Sequence, residues 1–459
     1  MELNGKRVLV VGLGKSGVAS ALFLKAHGAL VTVSDTKSGD ELRNEIPVLL
    51  DHGITVETGG HGERTFRGQD CIVVSPGVPV DAPPLMQART LGEPVIGEIE
   101  LASQFFSGPI IAITGSNGKT TTTTLTGEII TAAGFPALVG GNIGTPAISL
   151  AERAKPDTVI VLEVSSFQLE TIKTFRPKVA VVLNVTPDHL DRHRTFEIYV
   201  DAKARIFENQ DASDFAVLNA DDPTCIAMGP RTGAQVFWFS RQKEVDRGAW
   251  VRDGNIVFRG TSGQREVLQV SEIPLKGAHN LENVLAAVCA GILMGCAPDK
   301  IGQAVRDFKA VEHRLEFVAT IGGVDYYNDS KATNVDATIK ALESFPANIH
   351  LILGGKDKGS DYTVLNDLLK KRVKRVYTIG AAAAKIESQI NGPEIVHAET
   401  LENALRKANA VAQPGDVVLL APACASFDQF KSYEHRGKVF KQIVQGLAEN
   451  LAAGTPLSS

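Results

Sequence analysis

Short apolar runs of four or five residues recur along the whole chain, each followed by a polar or glycine-rich turn and then by a longer helical pattern. The runs are rich in valine, isoleucine and leucine, which is typical of parallel strands buried on both faces. Strands separated by helical segments predict β-α-β units and an α/β fold. The predicted strands are residues 7–11, 31–34, 71–75, 110–113, 158–162, 179–183, 215–218, 350–353, 376–379 and 417–420.

The pattern changes between about residues 235 and 274, where Asp253-Gly254 separates two apolar stretches. An Asp-Gly pair between such stretches indicates a β-hairpin. We therefore expect a small antiparallel insertion here, ending before a helix that begins near Asn280.

The length of 459 residues favours about three domains. New series of predicted strands begin just after Gly97 and near Val311. We expect a first domain at residues 1–97, a central domain at 98–310 and a third at 311–459.

Composition and charge limit the kinds of molecule that the protein is expected to bind. A net charge of −5 and a pI near 6.1 argue against dependence on nucleic acid or anionic membranes. No apolar stretch approaches the roughly 18 residues that span a bilayer, and the N-terminus runs directly into a strand instead of a signal peptide. The cysteines are dispersed and odd in number, which fits a reducing cytosol. We expect a soluble cytoplasmic protein that acts on small molecules.

The first glycine motif is Gly-Leu-Gly-Lys-Ser-Gly at residues 12–17, after the first strand, with Asp35 after the second. This spacing resembles a dinucleotide fingerprint, in which a tight turn presents a helix N-terminus to phosphate. It favours a phosphorylated ligand with a ribose or base near Asp35. An NAD-dependent dehydrogenase and a ligand-free turn both stay open at this point.

The second motif, Thr-Gly-Ser-Asn-Gly-Lys-Thr at residues 114–120, leads from a strand into a helix. Such a loop turns backbone N–H groups toward phosphate oxygens, while Lys119 supplies charge and the Thr120 hydroxyl can reach Mg²⁺. Ile113 stands where the usual P-loop pattern has its first glycine. The motif predicts a nucleoside triphosphate site.

Two further residues follow predicted strands. Glu163 ends the strand that follows the nucleotide loop in the sequence, where a carboxylate can hold Mg²⁺ against ATP; a solvated strand-end acid is the alternative. His189 lies in a polar loop after residues 179–183, and the sequence alone does not decide between a functional and an exposed histidine.

Taken together, these motifs resemble the Mur ligases, the amide-forming enzymes of peptidoglycan precursor synthesis, and their relative folylpolyglutamate synthase. Beyond the nucleotide loop, the similar segments in the first two thirds are residues 161–170, 184–193 and 277–283. In the last third, His313-Arg314 and residues 328–334 and 423–430 resemble the D-glutamate-adding branch of the family.

The resemblance implies a fold and a reaction. The fold would combine an N-terminal Rossmann-like UDP-binding domain, a central P-loop ATPase-like parallel-sheet domain with the antiparallel insertion, and a C-terminal Rossmann-like α/β domain. The enzyme would be a monomer that uses ATP and two Mg²⁺ ions. It would join D-glutamate to UDP-N-acetylmuramoyl-L-alanine through an acyl phosphate.

The resemblance also implies roles for individual residues. The catalytic residues would be Lys119, Glu163, His189, Lys203 and Lys331. The metal contacts would come from Thr120, Glu163, His189 and a carbamate on Lys203. Without the resemblance, Lys203 is only a helical lysine of the kind that usually faces solvent.

The implied binding residues fall into three groups. ATP would contact Gly115, Ser116, Asn117, Gly118, Lys119, Thr120, Thr121, Asn280, Asn283, Arg314 and Asp329. The UDP substrate would contact Lys15, Ser16, Asp35, Thr36, Lys37, Ser75, Gly77 and Asn142. D-glutamate would contact Thr333, Lys358, Ser426 and Phe427, with Lys356 as a rival to Lys358.

Three other functions are compatible with parts of the sequence. Another amide ligase of the family would share the nucleotide loop and differ in the third domain. An NAD-dependent oxidoreductase would leave residues 115–120 unexplained. A non-catalytic nucleotide-binding scaffold would keep the loops but release no phosphate.

Overall fold

The computed structural model describes residues 1–62, 64–261, 263–309 and 311–452, which form an α/β structure with three sheets. Its strands are β1 Arg7–Val11, β2 Leu30–Ser34, β3 Thr55–Glu57, β4 Cys71–Val74, β5 Val95–Gly97, β6 Ile110–Thr114, β7 Ala137–Gly141, β8 Val159–Glu163, β9 Val179–Val182, β10 Phe215–Asn219, β11 Gln235–Ser240, β12 Gly248–Arg252, β13 Asn255–Gly260, β14 Gly263–Gln269, β15 Glu316–Ile321, β16 Val324–Asn328, β17 Ile349–Gly354, β18 Val373–Ile379, β19 Glu394–Glu399 and β20 Val417–Leu420.

The α-helices lie mainly between the strands. They are α1 Lys15–Ala26, α2 Ile46–Asp51, α3 Pro83–Thr90, α4 Glu98–Ser103, α5 Lys119–Ala132, α6 Ser166–Leu169, α7 Leu190–His193, α8 Phe196–Ala204, α9 Pro223–Met228, α10 Ala278–Leu293, α11 Pro298–Asp307, α12 Val335–Glu343, α13 Asn366–Arg372, α14 Ala383–Gln389, α15 Leu401–Val411 and α16 Tyr433–Ala452. Short 3₁₀ segments occupy Ala147–Arg153, Arg205–Phe207, Gly229–Arg231, Val270–Glu272 and Thr363–Leu365.

The first sheet has five parallel strands in the order β3-β2-β1-β4-β5. Four of the five residues of β1, and all of β4, are buried. Burial on both faces explains why these strands are unbroken apolar runs. The carboxyl ends of β2, β1 and β4 are neighbours, so the turns that follow these three strands meet at one edge of the sheet.

The second sheet has nine strands in the order β14-β13-β12-β11-β10-β9-β6-β8-β7. All pairs from β7 to β12 are parallel, and only the β12–β13 and β13–β14 pairs are antiparallel. The predicted insertion therefore begins later than expected. The segment at residues 235–240 is a parallel strand, and the antiparallel part extends the same sheet.

The predicted hairpin joins β12 to β13. Asp253 and Gly254 have φ values of 51° and 77°. Two successive positive φ values define the type I′ turn that Asp-Gly favours.

The third sheet has six strands in the order β15-β16-β20-β17-β18-β19, with only the β15–β16 pair antiparallel. By backbone contacts, the described chain divides into two compact units. The first contains Met1–Glu272 and Glu282–Arg306, and thus the first two sheets. The second contains Ile273–Leu281 and the described residues from Asp307 onward, and thus the third sheet. Within the described residues, no helix combines the length and apolarity needed to cross a membrane.

Candidate functional site

The loop between β6 and α5 is the predicted phosphate loop. Gly118 caps α5 with a φ of 85°, and a Cβ atom there would overlap Oδ1 of Asn283. Only glycine accommodates both the left-handed backbone and this approach. The loop therefore ends at the N-terminus of a 14-residue helix, whose first N–H groups suit an anion.

The segment after β9 braces this loop. The Asn117 N–H donates to Asn184 Oδ1 at 2.9 Å, and Asn184 Nδ2 donates to the Asn117 carbonyl at 3.1 Å. The Ser116 hydroxyl donates to the Thr186 carbonyl at 2.8 Å and lies 3.0 Å from the Tyr199 hydroxyl. Asn184, Thr186 and Tyr199, the partners outside the loop, had no predicted role. Their position could have been suspected, because residue 184 closely follows β9, a strand that pairs with β6.

Two lysines flank the loop. Lys119 Nζ donates to the carbonyls of Gly115 and Ser116 at 2.9 and 3.0 Å. Lys203, which is only 1% exposed, donates to the same Gly115 carbonyl at 2.8 Å. Burial, and next the charge of Lys119, lower the pKa of Lys203 well below its usual value. Lys203 therefore lies on a helix as expected, but it faces the loop and not the solvent.

Glu163 is buried at the end of β8 and accepts two hydrogen bonds. The Thr120 hydroxyl donates to its Oε2 at 2.7 Å, and Asn142 Nδ2 donates to its Oε1 at 2.9 Å. The predicted pair Thr120 and Glu163 is thus brought together. The side chain of Asn142, which was predicted to contact the UDP substrate, lies on Glu163.

The donor atoms of this group suit magnesium. Mg²⁺ prefers oxygen ligands and is usually held by one or two carboxylates together with substrate phosphates. A threonine hydroxyl and a carboxylate beside a phosphate loop match that description. In the described part of the chain, no group of three or more His, Cys, Asp or Glu residues is arranged to hold a metal ion. The donor set fits an ion that is bound together with nucleotide phosphates.

His189 lies at the N-terminus of the one-turn helix α7, with a φ of 55°. Its ring packs edge-on against Phe167 at 5.0 Å between centroids, and its Nε2 lies 3.7 Å from Asp188 Oδ2. The side chain is 41% exposed. His189 is therefore held from one side and accessible to a ligand.

The predicted UDP residues of the first sheet cluster at its carboxyl edge. Asp35, after β2, accepts from the backbone N–H groups of Leu13 at 2.6 Å and Lys37 at 2.8 Å. Ser75, after β4, donates to the Gly12 carbonyl at 2.7 Å. The other predicted residues of this group lie in the same turns: Lys15 and Ser16 begin α1, Thr36 and Lys37 follow Asp35, and Gly77 follows Ser75.

Three of the predicted ATP-binding residues, Asn280, Arg314 and Asp329, lie in the second compact unit. Asp329 follows β16 and accepts from the Leu315 N–H at 3.3 Å, and burial raises its pKa to about 6 against the opposing effect of Arg314. Asn280 donates to the Lys276 carbonyl at 2.7 Å. Asn280 and Asn283 are one helical turn apart on α10, yet they belong to different compact units.

The predicted D-glutamate residues lie in the turns after β16, β17 and β20. The backbone groups of Lys356 and Ala425 exchange two hydrogen bonds, which joins the lysine loop to the segment carrying buried Ser426. The Lys331 ammonium is 3.8 Å from the centroid of the Tyr433 ring. Thr333 is partly buried, and Lys356, Lys358 and Phe427 are exposed, Phe427 at 68%.

Arg436 supports these turns and was not predicted. It is fully buried and donates to the Ser330 hydroxyl and carbonyl at 2.9 and 2.8 Å and to the Cys424 carbonyl at 3.2 Å. Desolvation lowers its pKa to about 10. A buried cation that bonds to loop carbonyls fixes the turns on which Lys331 and Ser426 stand.

Comparison with known protein families agrees with this arrangement. Residues 6–97 match the MurD-like N-terminal domain of Mur ligases, residues 113–291 the Mur ligase middle domain, and residues 313–424 the Mur ligase glutamate ligase domain. The chain belongs to the Mur ligase family. The resemblance stated from the sequence is confirmed.

Three similar curated proteins carry the same name. The chain is 68% identical to the UDP-N-acetylmuramoylalanine–D-glutamate ligase of Koribacter versatilis, over 98% of this chain and 99% of that protein. The corresponding ligase of Acidobacterium capsulatum is 59% identical over 97% of each chain. The ligase of Solibacter usitatus is 55% identical, over 97% of this chain and 99% of that one.

Solved structures with the same fold are more distant in sequence. The MurF ligase of Thermotoga maritima in complex with ADP has a TM-score of 0.62 and 19% identity, over 92% of this chain and 95% of that chain. The UDP-N-acetylmuramate–alanine ligase of the same organism has a TM-score of 0.61 and 18% identity, over 96% and 99%. These likenesses confirm an α/β architecture with parallel-sheet domains.

Proposed function

We propose that this chain is the ATP-dependent ligase that adds D-glutamate to UDP-N-acetylmuramoyl-L-alanine in peptidoglycan precursor synthesis. The proposal rests chiefly on the full-length identity of 55–68% to curated ligases of that name. The phosphate loop beside the Thr120–Glu163 pair supports the ATP-dependent part of the reaction.

We propose that the loop at residues 115–121 holds the ATP phosphates and that Lys119 and Thr120 contact them. Thr120, Glu163, His189 and a carbamate on Lys203 would hold two Mg²⁺ ions, which supply charge neutralisation between a triphosphate and a carboxylate. Lys119 is then placed to stabilise negative charge on the transferred phosphoryl group. The assignment of Asn280, Asn283, Arg314 and Asp329 to the nucleotide rests on the family resemblance.

A carbamate on Lys203 is supported by its surroundings. A carbamate forms when a neutral amine bonds to CO₂ and releases a proton, and the lowered pKa of Lys203 favours the neutral amine. The product is an anion beside Lys119 and the loop, in a place where an unmodified ammonium is costly to bury.

We propose that the UDP part of the first substrate binds the turns around Lys15, Asp35 and Ser75, and that D-glutamate is held by Thr333, Lys358, Ser426 and Phe427. Lys331 would support the reacting carboxylate. The L-alanyl carboxylate is phosphorylated by ATP, and the D-glutamate amine attacks the acyl phosphate, releasing phosphate. The protein mainly orients the reactants and stabilises charge. In a division at residues 1–97, 98–310 and 311–459, the first domain would hold the UDP part, the central domain the ATP phosphates and the third domain D-glutamate, with Arg314 and Asp329 of the third domain also contacting the nucleotide.

We place this reaction in the cytoplasm of a bacterial cell and expect a monomer. The five cysteines are all free and buried, which agrees with a reducing compartment.

Phosphate release tests the function directly. The purified chain with ATP, Mg²⁺ and UDP-N-acetylmuramoyl-L-alanine should release phosphate only when D-glutamate is added, and mass spectrometry should detect the amide product. Phosphate release without an amide product would leave an ATPase and contradict the proposal.

A further inference from the structure

Arg192 joins the substrate turn of the first sheet to the second sheet. We use the name substrate turn for residues 75–78, which follow β4. The Nη1 atom of Arg192 donates to the Pro76 carbonyl at 2.9 Å, and its Nη2 atom donates to the Val78 carbonyl at 2.9 Å. One planar guanidinium group therefore holds both ends of the exposed part of the turn, where Gly77 lies.

The guanidinium group is itself fixed from the opposite side. Its Nη2 atom also donates to Glu170 Oε2 at 3.2 Å, and its central carbon lies 4.2 Å from the centroid of the Phe167 ring. The side chains of Arg192 and Glu170 are only 18% and 16% exposed. A lysine cannot reproduce two forked donors together with planar stacking, so the geometry is specific for arginine.

The same contacts reach His189. Arg192 lies three residues after His189 in α7, and the Phe167 ring on which Arg192 stacks also packs against the His189 ring at 5.0 Å. The backbone of α7 is a single turn, so a shift of Arg192 displaces the segment that carries His189. Arg192 thus links the substrate turn to the segment that carries His189.

We propose that Arg192 is a positioning residue for the UDP-linked substrate: it holds the substrate turn in register with the segment at residues 188–193. The inference rests on the proposed function, in which the turn binds the UDP substrate and His189 lies near the reacting groups. Arg192 acts through these two loops and not by contact with the reacting atoms.

Arg194 provides a matched control on the same segment. It also forms an ion pair with the first sheet, to Asp81 at 2.7 Å, but the two side chains are 75% and 58% exposed. Exposed pairs of this kind contribute little. Arg192→Ala, Arg192→Lys and Arg194→Ala should therefore be compared in steady-state assays with each substrate varied in turn.

We expect Arg192→Ala to raise the KM for the UDP substrate by about tenfold or more, as for the loss of charged hydrogen bonds to positioned groups. The KM for ATP should change several-fold less than the KM for the UDP substrate, because the described contacts of Arg192 are with the substrate turn, Glu170 and Phe167. Arg192→Lys should recover only part of the loss, and Arg194→Ala should behave like the parent. A role in general stability alone would lower kcat through the active fraction and leave both KM values unchanged, and that result overturns the inference.

Failure of the proposed function would be recognisable separately, because the parent protein would then release no D-glutamate-dependent phosphate. Hydrogen exchange tests the connection without any activity. The substrate turn should exchange faster in Arg192→Ala than in Arg194→Ala, with circular dichroism unchanged in both. Equal exchange rates in the two variants would overturn the inference.

Discussion

At the scale of single residues, Lys119 is the clearest case of a side chain whose role the sequence indicated and whose position the structure defines. Its ammonium group lies over two carbonyl groups of the phosphate loop. Asp35 and Ser75, proposed for the UDP substrate, lie on a different sheet. A substitution in the phosphate loop should therefore leave the binding of the UDP substrate unchanged.

We expect Lys119→Ala to reduce phosphate release at least about a hundredfold, because it removes a charge aimed at the transferred group. The affinity for UDP-N-acetylmuramoyl-L-alanine, measured by calorimetry, should stay within about twofold. Loss of both catalysis and UDP-substrate binding, with circular dichroism intact, would contradict separate sites.

Two buried glutamates of helix α4, Glu98 and Glu100, lead to a prediction about how stability depends on pH. Burial raises the pKa of Glu98 from 4.5 to about 7, although its Oε1 accepts from the Ile148 N–H at 2.7 Å. The unfolded chain loses this proton near pH 4.5 while the folded chain keeps it up to about pH 7. The contribution of Glu98 to the free energy of unfolding is therefore fully present below pH 4.5. It decreases by about 3 kcal/mol as the pH rises to about 7.

Glu98→Gln removes this dependence, so between pH 4.5 and 7.5 the free energy of unfolding of the parent should fall relative to that of the variant. Urea denaturation at several pH values measures the difference.

Glu100→Gln is the control. The pKa of Glu100 is lowered, because bonds from Lys173, Thr174 and Phe175 outweigh its burial, so its contribution is lost only as the pH falls below about 4.5. A parallel pH profile for the parent and Glu98→Gln would refute the assignment.

At the scale of elements, helix α5 offers a comparison between its two ends. Gly118 precedes the helix with a φ of 85° and Gly134 follows it with a φ of 89°. A Cβ atom at Gly118 would overlap Asn283, whereas a Cβ atom at Gly134 would have no atom within 4 Å. Both alanine substitutions introduce backbone strain, but only the first displaces the phosphate loop.

We expect Gly118→Ala to weaken nucleotide binding at least about tenfold and Gly134→Ala to leave it within about twofold, while both lower stability by about 1 kcal/mol or more. Titration with ADP and Mg²⁺, together with thermal unfolding, separates the two effects. Equal nucleotide affinity in both variants would show that the loop tolerates the side chain.

The elements that sequence reasoning found are those with strong local signals. The strand at residues 7–11 was predicted with its observed limits, and Asp253-Gly254 was correctly placed in a hairpin turn. Strands β3, β5, β7, β15, β16 and β19 were not predicted. Two of them, β3 and β5, have only three residues, and such short runs differ little from loops. Strand β11 was assigned to the antiparallel insertion, since the direction of a strand depends on pairing that the local sequence does not specify.

The same limit applies to the candidate site. The phosphate loop, Thr120 and Glu163 could be predicted, since parallel strands end at one edge of a sheet. The bracing by Asn184, the placement of Asn142 on Glu163 and the cross-sheet contacts of Arg192 could not. They depend on side-chain directions between segments distant in sequence. Arg436 was hidden for another reason, because a long helix rarely signals which of its charged residues is buried.

At the scale of the whole molecule, the residues proposed for the three ligands lie after strands of three different sheets. The turns proposed for the UDP substrate follow strands of the first sheet, and the predicted phosphate loop follows a strand of the second. The third sheet, in the second compact unit, carries the residues proposed for the amino acid. Residues 313–424, which include the strands of the third sheet, match the glutamate ligase domain of the family, so the choice of amino acid should be a property of this sheet.

The last prediction concerns that choice. Lys358, proposed to hold the amino acid, favours a side chain that ends in a carboxylate and disfavours one that ends in an ammonium group. With UDP-N-acetylmuramoyl-L-alanine and ATP, D-glutamate should support phosphate release at least about a hundredfold faster than L-lysine or diaminopimelate. L-glutamate tests the handedness of the site, and ATP without an amino acid gives the background. Lys358→Ala and Lys356→Ala should be assayed alongside, and only the former should raise the KM for D-glutamate. If diaminopimelate were used as well as D-glutamate, the protein would remain an ATP-dependent amide ligase, but its assignment within the family would be wrong.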